Sequence, residues 1–280
     1  MAAPLQTLVF QGCPLAYRIA GEGPPLVMIQ GVGAYGTVAN PQVDILKPHY
    51  TCLTFDNRGI GASVPADGPL TVEQMAKDTL ALIDHAGWDS AHLVGHSLGG
   101  LIALHTALTA KRRMRSLTLL CTFAHGADAT RLTPALLWIS LRVRFGGRRM
   151  RRRAFIDLVV PPDKRQGHSE DLAQRISKIL GHDIGDLPAI TDRQMAAMRK
   201  HDVTTRLGEL AGIPTLVVSA EKDLIAPPSS GRVIAAGIPG ARYIEIAGAS
   251  HSFPILEPER CGALTLAHLA EAERRYLASA

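Results

Sequence analysis

Three residue types that together perform nucleophilic acyl chemistry are spread along this chain: a serine, Ser97, a carboxylate, Asp223, and a histidine, His251. Ser97 is the centre of Gly95-His96-Ser97-Leu98-Gly99. A G-x-S-x-G motif has mechanical meaning where a strand, a sharp turn and a helix follow one another. Here an apolar run rich in branched residues precedes it, and an Ala/Leu-rich helical pattern over 98–110 follows. Gly95 and Gly99 carry no Cβ, so the chain can turn back tightly and hold Ser97 strained with its hydroxyl exposed. A serine hydroxyl is a poor nucleophile at neutral pH and needs a base to take its proton. His251 has the intrinsic pKa for that task, and a carboxylate, Asp223, would fix the imidazole tautomer and stabilise the imidazolium. Glu221, two residues away, is the alternative acid, and small residues at a strand-to-helix turn also serve plain close packing. His96 points elsewhere if Ser97 occupies the turn, and His85, His105 and His268 fall inside predicted helices.

Residues this far apart meet only if a scaffold gathers them. Apolar runs at 8–11, 14–20, 26–29, 50–55, 117–122, 213–219 and 242–246, with the one entering Ser97, read as strands. Helical patterns lie at 41–47, 71–86, 229–236 and 258–278, the second opening on Thr71 with Gln74 three residues on. Alternation of the two periods predicts an α/β fold with a mostly parallel central sheet flanked by helices. Ser97, Asp223 and His251 each fall just past the C-terminal end of a predicted strand, the edge at which open α/β sheets form sites. Residues 124–206 break the rhythm with helical stretches at 134–145, 151–160, 170–180 and 191–200. The expected organisation is a core over 1–123 and 207–280 with an inserted helical cap over 124–206.

At 280 residues and 46% hydrophobic, the chain can bury one large core plus such an insertion. The formal net charge is +5, but the arginines crowd one segment: Arg142, Arg144, Arg148, Arg149, Arg151, Arg152 and Arg153. This reads as a solvated basic face, with an anionic-substrate funnel or a partner surface as alternatives, and argues against nucleic-acid binding by the whole chain. Trp138, Phe145 and Phe155 are expected to pack within the segment. Cys13, Cys52, Cys121 and Cys261 are widely spaced and read as buried thiols, with Cys52 and Cys121 in strands. His168, His182 and Asp183 lack metal-ligand spacing. The N-terminus lacks a secretory pattern and no run of 18 apolar residues occurs, so a cytoplasmic protein without membrane insertion is expected. The loop Gln30-Gly31-Val32-Gly33-Ala34-Tyr35-Gly36 approximates a dinucleotide fingerprint, yet lacks the lysine of a phosphate loop. With an acyl nucleophile elsewhere in the chain, the favoured reading is a loop whose backbone N–H groups face a developing oxyanion. Asp56 and Arg58 read as a turn-fixing acid and an internal ion-pair partner.

With QGVGAYG, FDNRGIGAS, GHSLGG, SAEKDLIAPP and GASHSF in this order between strands, the chain resembles the α/β-hydrolase-fold serine hydrolases over nearly its whole length. Within that superfamily it is similar to the capped esterase and lactonase branch, which includes 3-oxoadipate enol-lactonases, aclacinomycin methylesterases and cofactor-free haloperoxidase-like esterases. The resemblance implies an oxyanion hole formed by the backbone N–H groups of Val32 and Leu98, and no metal or organic cofactor. It implies a small-molecule ester or lactone as substrate, with C–C bond hydrolysis by the same triad or a triad-retaining ligand receptor as alternatives, and leaves homo-oligomerisation open. Gln30 stands where many members have His, and Ala220 where many have Gly.

Overall fold

The computed structural model describes residues 3–130, 134–165, 169–186, 188 and 190–279. Eight strands, β1 (Gln6–Phe10), β2 (Cys13–Ala20), β3 (Pro25–Ile29), β4 (Thr51–Phe55), β5 (Ala91–His96), β6 (Met114–Leu120), β7 (Thr215–Ala220) and β8 (Arg242–Ile246), form one sheet. Their order is β1-β2-β4-β3-β5-β6-β7-β8. Only the β1–β2 and β2–β4 pairings are antiparallel; from β4 to β8 every pairing is parallel.

The alternation of side chains along each strand sorts the core into two layers. Leu26 and Met28 of β3 face α1 (Asn40–Leu46), and Val27 and Ile29 face the opposite layer, with α2 (Val72–His85) and α3 (Leu98–Thr109). Thr71 caps α2 by accepting the Gln74 N–H at 3.1 Å, but the Gln74 side chain reaches forward to Asp78 Oδ1, also at 3.1 Å, instead of back to the cap.

Between β6 and β7 the described residues contain no strand but five α-helices: α4 (Pro134–Phe145), α5 (Arg148–Val159), α6 (Pro162–Arg165), α7 (Ser169–Leu180) and α8 (Ile190–Lys200). α5 begins three residues before its expected start, because the arginines that open it are good helix formers. Its Ile156 and Val159 pack with Ile176 and Leu180 of α7 onto Ala34 and Val38, beyond the end of β3. Trp138 and Phe145, expected to pack inside this segment, are instead exposed; Phe155 alone of the three is partly buried against that cluster. All four cysteines are buried and free, but Cys121 lies just past β6 instead of within it.

After β7 come α9 (Pro228–Gly237), β8, the short α10 (Phe253–Leu256) and the long α11 (Pro258–Ser279). Among the described residues no helix is long and apolar enough to cross a membrane. α11 is tied to the sheet by polar contacts. The buried His92 ring donates from Nε2 to Glu273 Oε2 at 2.8 Å, and its Nδ1 lies 2.7 Å from Ser116 Oγ. Burial pushes the His92 pKa down to about 4, against the pull of Glu273.

The fold therefore holds this ring neutral, while an unfolded chain binds a proton there below about pH 6.5. Stability should fall as pH drops from about 6.5 to 4, His92 contributing on the order of 3 kcal/mol. Urea unfolding of wild type and His92→Gln across this window checks it: the variant should be weaker near neutrality and decline less steeply in acid. Equal slopes would contradict the assignment.

Candidate active site

Ser97 occupies the turn between β5 and α3 with φ +55° and ψ −121°, a conformation that side chains other than glycine rarely adopt. Among the described residues only Gln11 and Cys121 are other non-glycine residues at positive φ. Cys121 follows β6, the strand next to β5, so two of the three strained positions lie side by side at one sheet edge. The turn exists because the backbones nearly touch. A Cβ on Gly99 would stand 2.0 Å from the Ile29 carbonyl oxygen, and one on Gly95 2.4 Å from that of Gly99. The Ser97 N–H donates to the Leu120 carbonyl at 3.0 Å and its carbonyl accepts from Thr122 Oγ1 at 2.6 Å, so both sides of the strained residue are anchored.

The loops after β7 and β8 bring the acid and the histidine together. Asp223 Oδ2 accepts from His251 Nδ1 at 2.8 Å. Asp223 Oδ1 accepts the N–H groups of Ile225 and Ala226, each at 2.8 Å. A buried carboxylate so held keeps its orientation and fixes the proton of His251 on Nδ1, turning Nε2 free of it. Glu221 is exposed and accepts the Gly248 N–H at 2.7 Å, away from His251. His96 donates from Nε2 to the His251 carbonyl at 3.1 Å, placing the residue before Ser97 against the histidine loop. Burial and the adjacent His251 push the His96 pKa down to about 3. The Cys121 thiol lies against Asp223, and burial with that neighbouring charge holds its pKa well above the usual thiol range. Among the described residues no hydrogen bond links the Ser97 hydroxyl to the His251 ring; contacts of this kind commonly tighten only with substrate in place.

The glycine loop after β3 borders the same turn: a Cβ on Gly31 would lie 3.2 Å from Ser97 Cβ. The Leu98 N–H opens α3, where first-turn amides have no intrahelical acceptor. In the glycine loop the Gly33 N–H donates to Gln194 Oε1 at 2.9 Å and the Ala34 N–H to the Gly31 carbonyl at 3.3 Å. Among the described residues the Val32 N–H has no such acceptor.

This loop is braced from two sides. The Gln30 carbonyl accepts from Asn57 Nδ2 at 2.9 Å and the Gly36 N–H donates to Asp56 Oδ1 at 2.7 Å. Arg58, in that second loop, forms a buried pair with Asp78 through Nε at 2.9 Å and Nη2 at 2.7 Å. From the helical segment, fully buried Gln194 of α8 holds the Gly33 N–H, and His182 Nε2 donates to the Gly33 carbonyl at 2.9 Å. Gln194 and His182 are separated from the loop by some 150 residues in sequence, and no motif marks either one. His182 and Asp183 serve hydrogen bonds and ion pairs here, and His168 lies outside the described residues. Among the described residues no cluster of His, Cys, Asp and Glu has the arrangement of a metal site.

Residues 24–258 match the alpha/beta hydrolase fold family. The chain belongs to that family. The chain is 28% identical over 248 residues to a provisionally named carbamate hydrolase, RutD, of Azorhizobium caulinodans, covering 88% of this chain and 91% of the relative. The enol-lactonase from Burkholderia xenovorans LB400 superposes with a TM-score of 0.79 at 27% identity, covering 95% of this chain and 100% of that one. A thermophilic esterase from Thermogutta terrifontis gives 0.77 at 25% identity, covering 97% and 99%. The chain is thus a hydrolase-type α/β protein.

Removing one partner of a buried ion pair strands the other charge, so Asp78→Ala should cost about 3–5 kcal/mol, read as a lowered urea midpoint. Gln194→Leu leaves the Gly33 N–H without its acceptor. Hydrogen exchange of that amide should speed by about tenfold or more, amides of β5 remaining unchanged. An unaltered Gly33 rate would show that Gln194 does not hold the loop.

Proposed function

We propose that this α/β-hydrolase is a serine hydrolase that cleaves a carboxylic ester or lactone of a small organic molecule through an acyl-enzyme on Ser97. The observation that carries the reading is Ser97 at φ +55° beside the buried Asp223–His251 pair. His251 Nε2, the ring nitrogen turned from Asp223, takes the hydroxyl proton as Ser97 Oγ attacks the carbonyl carbon. The carbonyl π electrons move to oxygen, where the Val32 and Leu98 N–H groups receive the charge; losing one such donor costs about 100- to 1,000-fold in rate. Collapse breaks the C–O bond to the alcohol, which leaves with the proton from His251. Water, deprotonated by His251, then attacks the acyl-enzyme, and the acid departs as Ser97 regains its proton. Asp223 stays ionised throughout and stabilises the imidazolium.

The helical segment serves as the cap over this site, a role supported by its contacts to the glycine loop through Gln194 and His182 and to the His251 loop, where Ser250 Oγ donates to the Val159 carbonyl at 2.6 Å. The esterase and enol-lactonase among the similar structures support an oxygen ester. The similarity to RutD favours a second reading, a carbamate, whose carbonyl passes through the same steps with nitrogen leaving.

A panel of p-nitrophenyl esters, lactones, aryl carbamates and β-diketone substrates tests the assignment. Esters or lactones should turn over, with Ser97→Ala lowering kcat by roughly 1,000-fold or more and Asp223→Asn by about 1,000- to 10,000-fold. Turnover of carbamates alone selects the second reading. Turnover confined to the C–C substrates, or tight ligand binding without turnover, overturns both, as does full activity in Ser97→Ala.

A further inference from the structure

α4 is apolar on two faces, of which the protein covers one. Ile139 is buried, whereas Leu137, Trp138, Leu141 and Phe145 are 50%, 62%, 43% and 79% exposed. At about 100° per residue these four positions fall within roughly 100° of arc, so they form a single outward stripe along the helix. Met150 of α5, on which α4 packs, is exposed as well. A helix this apolar on its outer face ordinarily has something against it.

The charges beside the stripe say what. Arg142, Arg148 and Arg152 are engaged: Arg142 with Asp157, Arg148 with Asp183 and Asp186, and Arg152 with Asp183 and Glu170. Arg144, Arg149 and Arg153 are exposed, and among the described residues no carboxylate pairs with them. Phenyl, indole and leucyl side chains on α4, with Arg144 next to their stripe and Arg149 and Arg153 exposed on the helix packed against it, match the layering of a lipid surface, with acyl chains below and phosphates at the rim.

We propose that the α4–α5 face docks the protein reversibly on an anionic phospholipid surface, Trp138, Leu141 and Phe145 entering the headgroup boundary and Arg144, Arg149 and Arg153 pairing with lipid phosphates. A second copy is a poorer occupant. A two-fold contact through α4 would set the unpaired arginines of both copies around one apolar patch, like charge against like charge.

The test uses the full chain with phosphatidylcholine vesicles, with and without about one third phosphatidylglycerol. Trp138 is one of only two tryptophans, so its emission reports the face directly. Co-sedimentation should require phosphatidylglycerol and reverse at roughly 0.5 M salt. A blue shift should accompany it and vanish in Trp138→Phe. Binding should weaken at least tenfold in Arg149→Glu/Arg153→Glu and in Phe145→Ser, each about the effect expected from losing one or two such contacts. These side chains are exposed, so both variants should melt as wild type does. Absence of binding, binding indifferent to phosphatidylglycerol, or binding unchanged in both variants would overturn the proposal. So would a concentration-dependent doubling of mass without lipid that Phe145→Ser abolishes, since that assigns the face to a second copy.

Discussion

α3 lies against β3 and β5 only because its first turn is bare of side chains at the point of contact. With a Cβ on Gly99 2.0 Å from the Ile29 carbonyl, even alanine there would force the helix away from the sheet. That contact sets the pitch of the turn, holds Ser97 at positive φ, and places the end of β3, with its glycine loop, beside the serine. The strain is sustained because both peptide groups of Ser97 are anchored, to Leu120 and Thr122 of the neighbouring strand and its extension.

Hydrogen-bond geometry alone does not make such a cluster a site. The same chain builds a second serine, histidine and carboxylate arrangement from Ser116, His92 and Glu273, with distances of 2.7 and 2.8 Å. Ser116 and His92 are fully buried, at the opposite end of the parallel strands, and serve to fasten α11 to the sheet. What sets Ser97 apart is its position on a strained turn at the carboxyl edge, beside a loop in which the Gly33 and Ala34 amides are engaged and, among the described residues, the Val32 N–H has no acceptor. The buried cluster serves the fold; the one at the carboxyl edge is where the proposed chemistry has room to occur.

The helical segment reaches the loops around Ser97 through the side chains of Gln194 and His182 and the backbone carbonyl of Val159. Gln194 and His182 grip the two polar groups of the Gly33 peptide, and the Val159 carbonyl accepts from Ser250 beside His251. Any displacement of α5 or α8 is therefore communicated to the loops on both sides of Ser97. α4 takes no part in these contacts and carries instead the apolar stripe and Arg144, while Arg149 and Arg153 stand at the other, exposed side of α5; among the described residues no carboxylate pairs with these three.

The alternation of apolar runs and helical periods was enough to place the eight strands and the larger helices to within a few residues, because a parallel sheet buried on both faces demands continuous apolar strands. The spacing of Gly95, Ser97 and Gly99, and the position of Asp223 and His251 just past strands, marked the candidate chemistry for the same local reason: turn geometry is written in neighbouring residues. Local pattern favoured Asp223 but left Glu221, two residues away on the same loop, as an alternative; that Asp223 is the carboxylate meeting His251 follows from the way β7 and β8 lie side by side. Nor could it find Gln194 and His182, whose hydrogen bonds to Gly33 join segments that no periodicity relates. It also misassigned Trp138 and Phe145, since an aromatic residue on a helix has the same sequence signature whether that face turns inward or out. Sequence determined the elements and the residue types available for chemistry; which side chains meet, and which faces remain bare, followed only from the packing of distant elements in three dimensions.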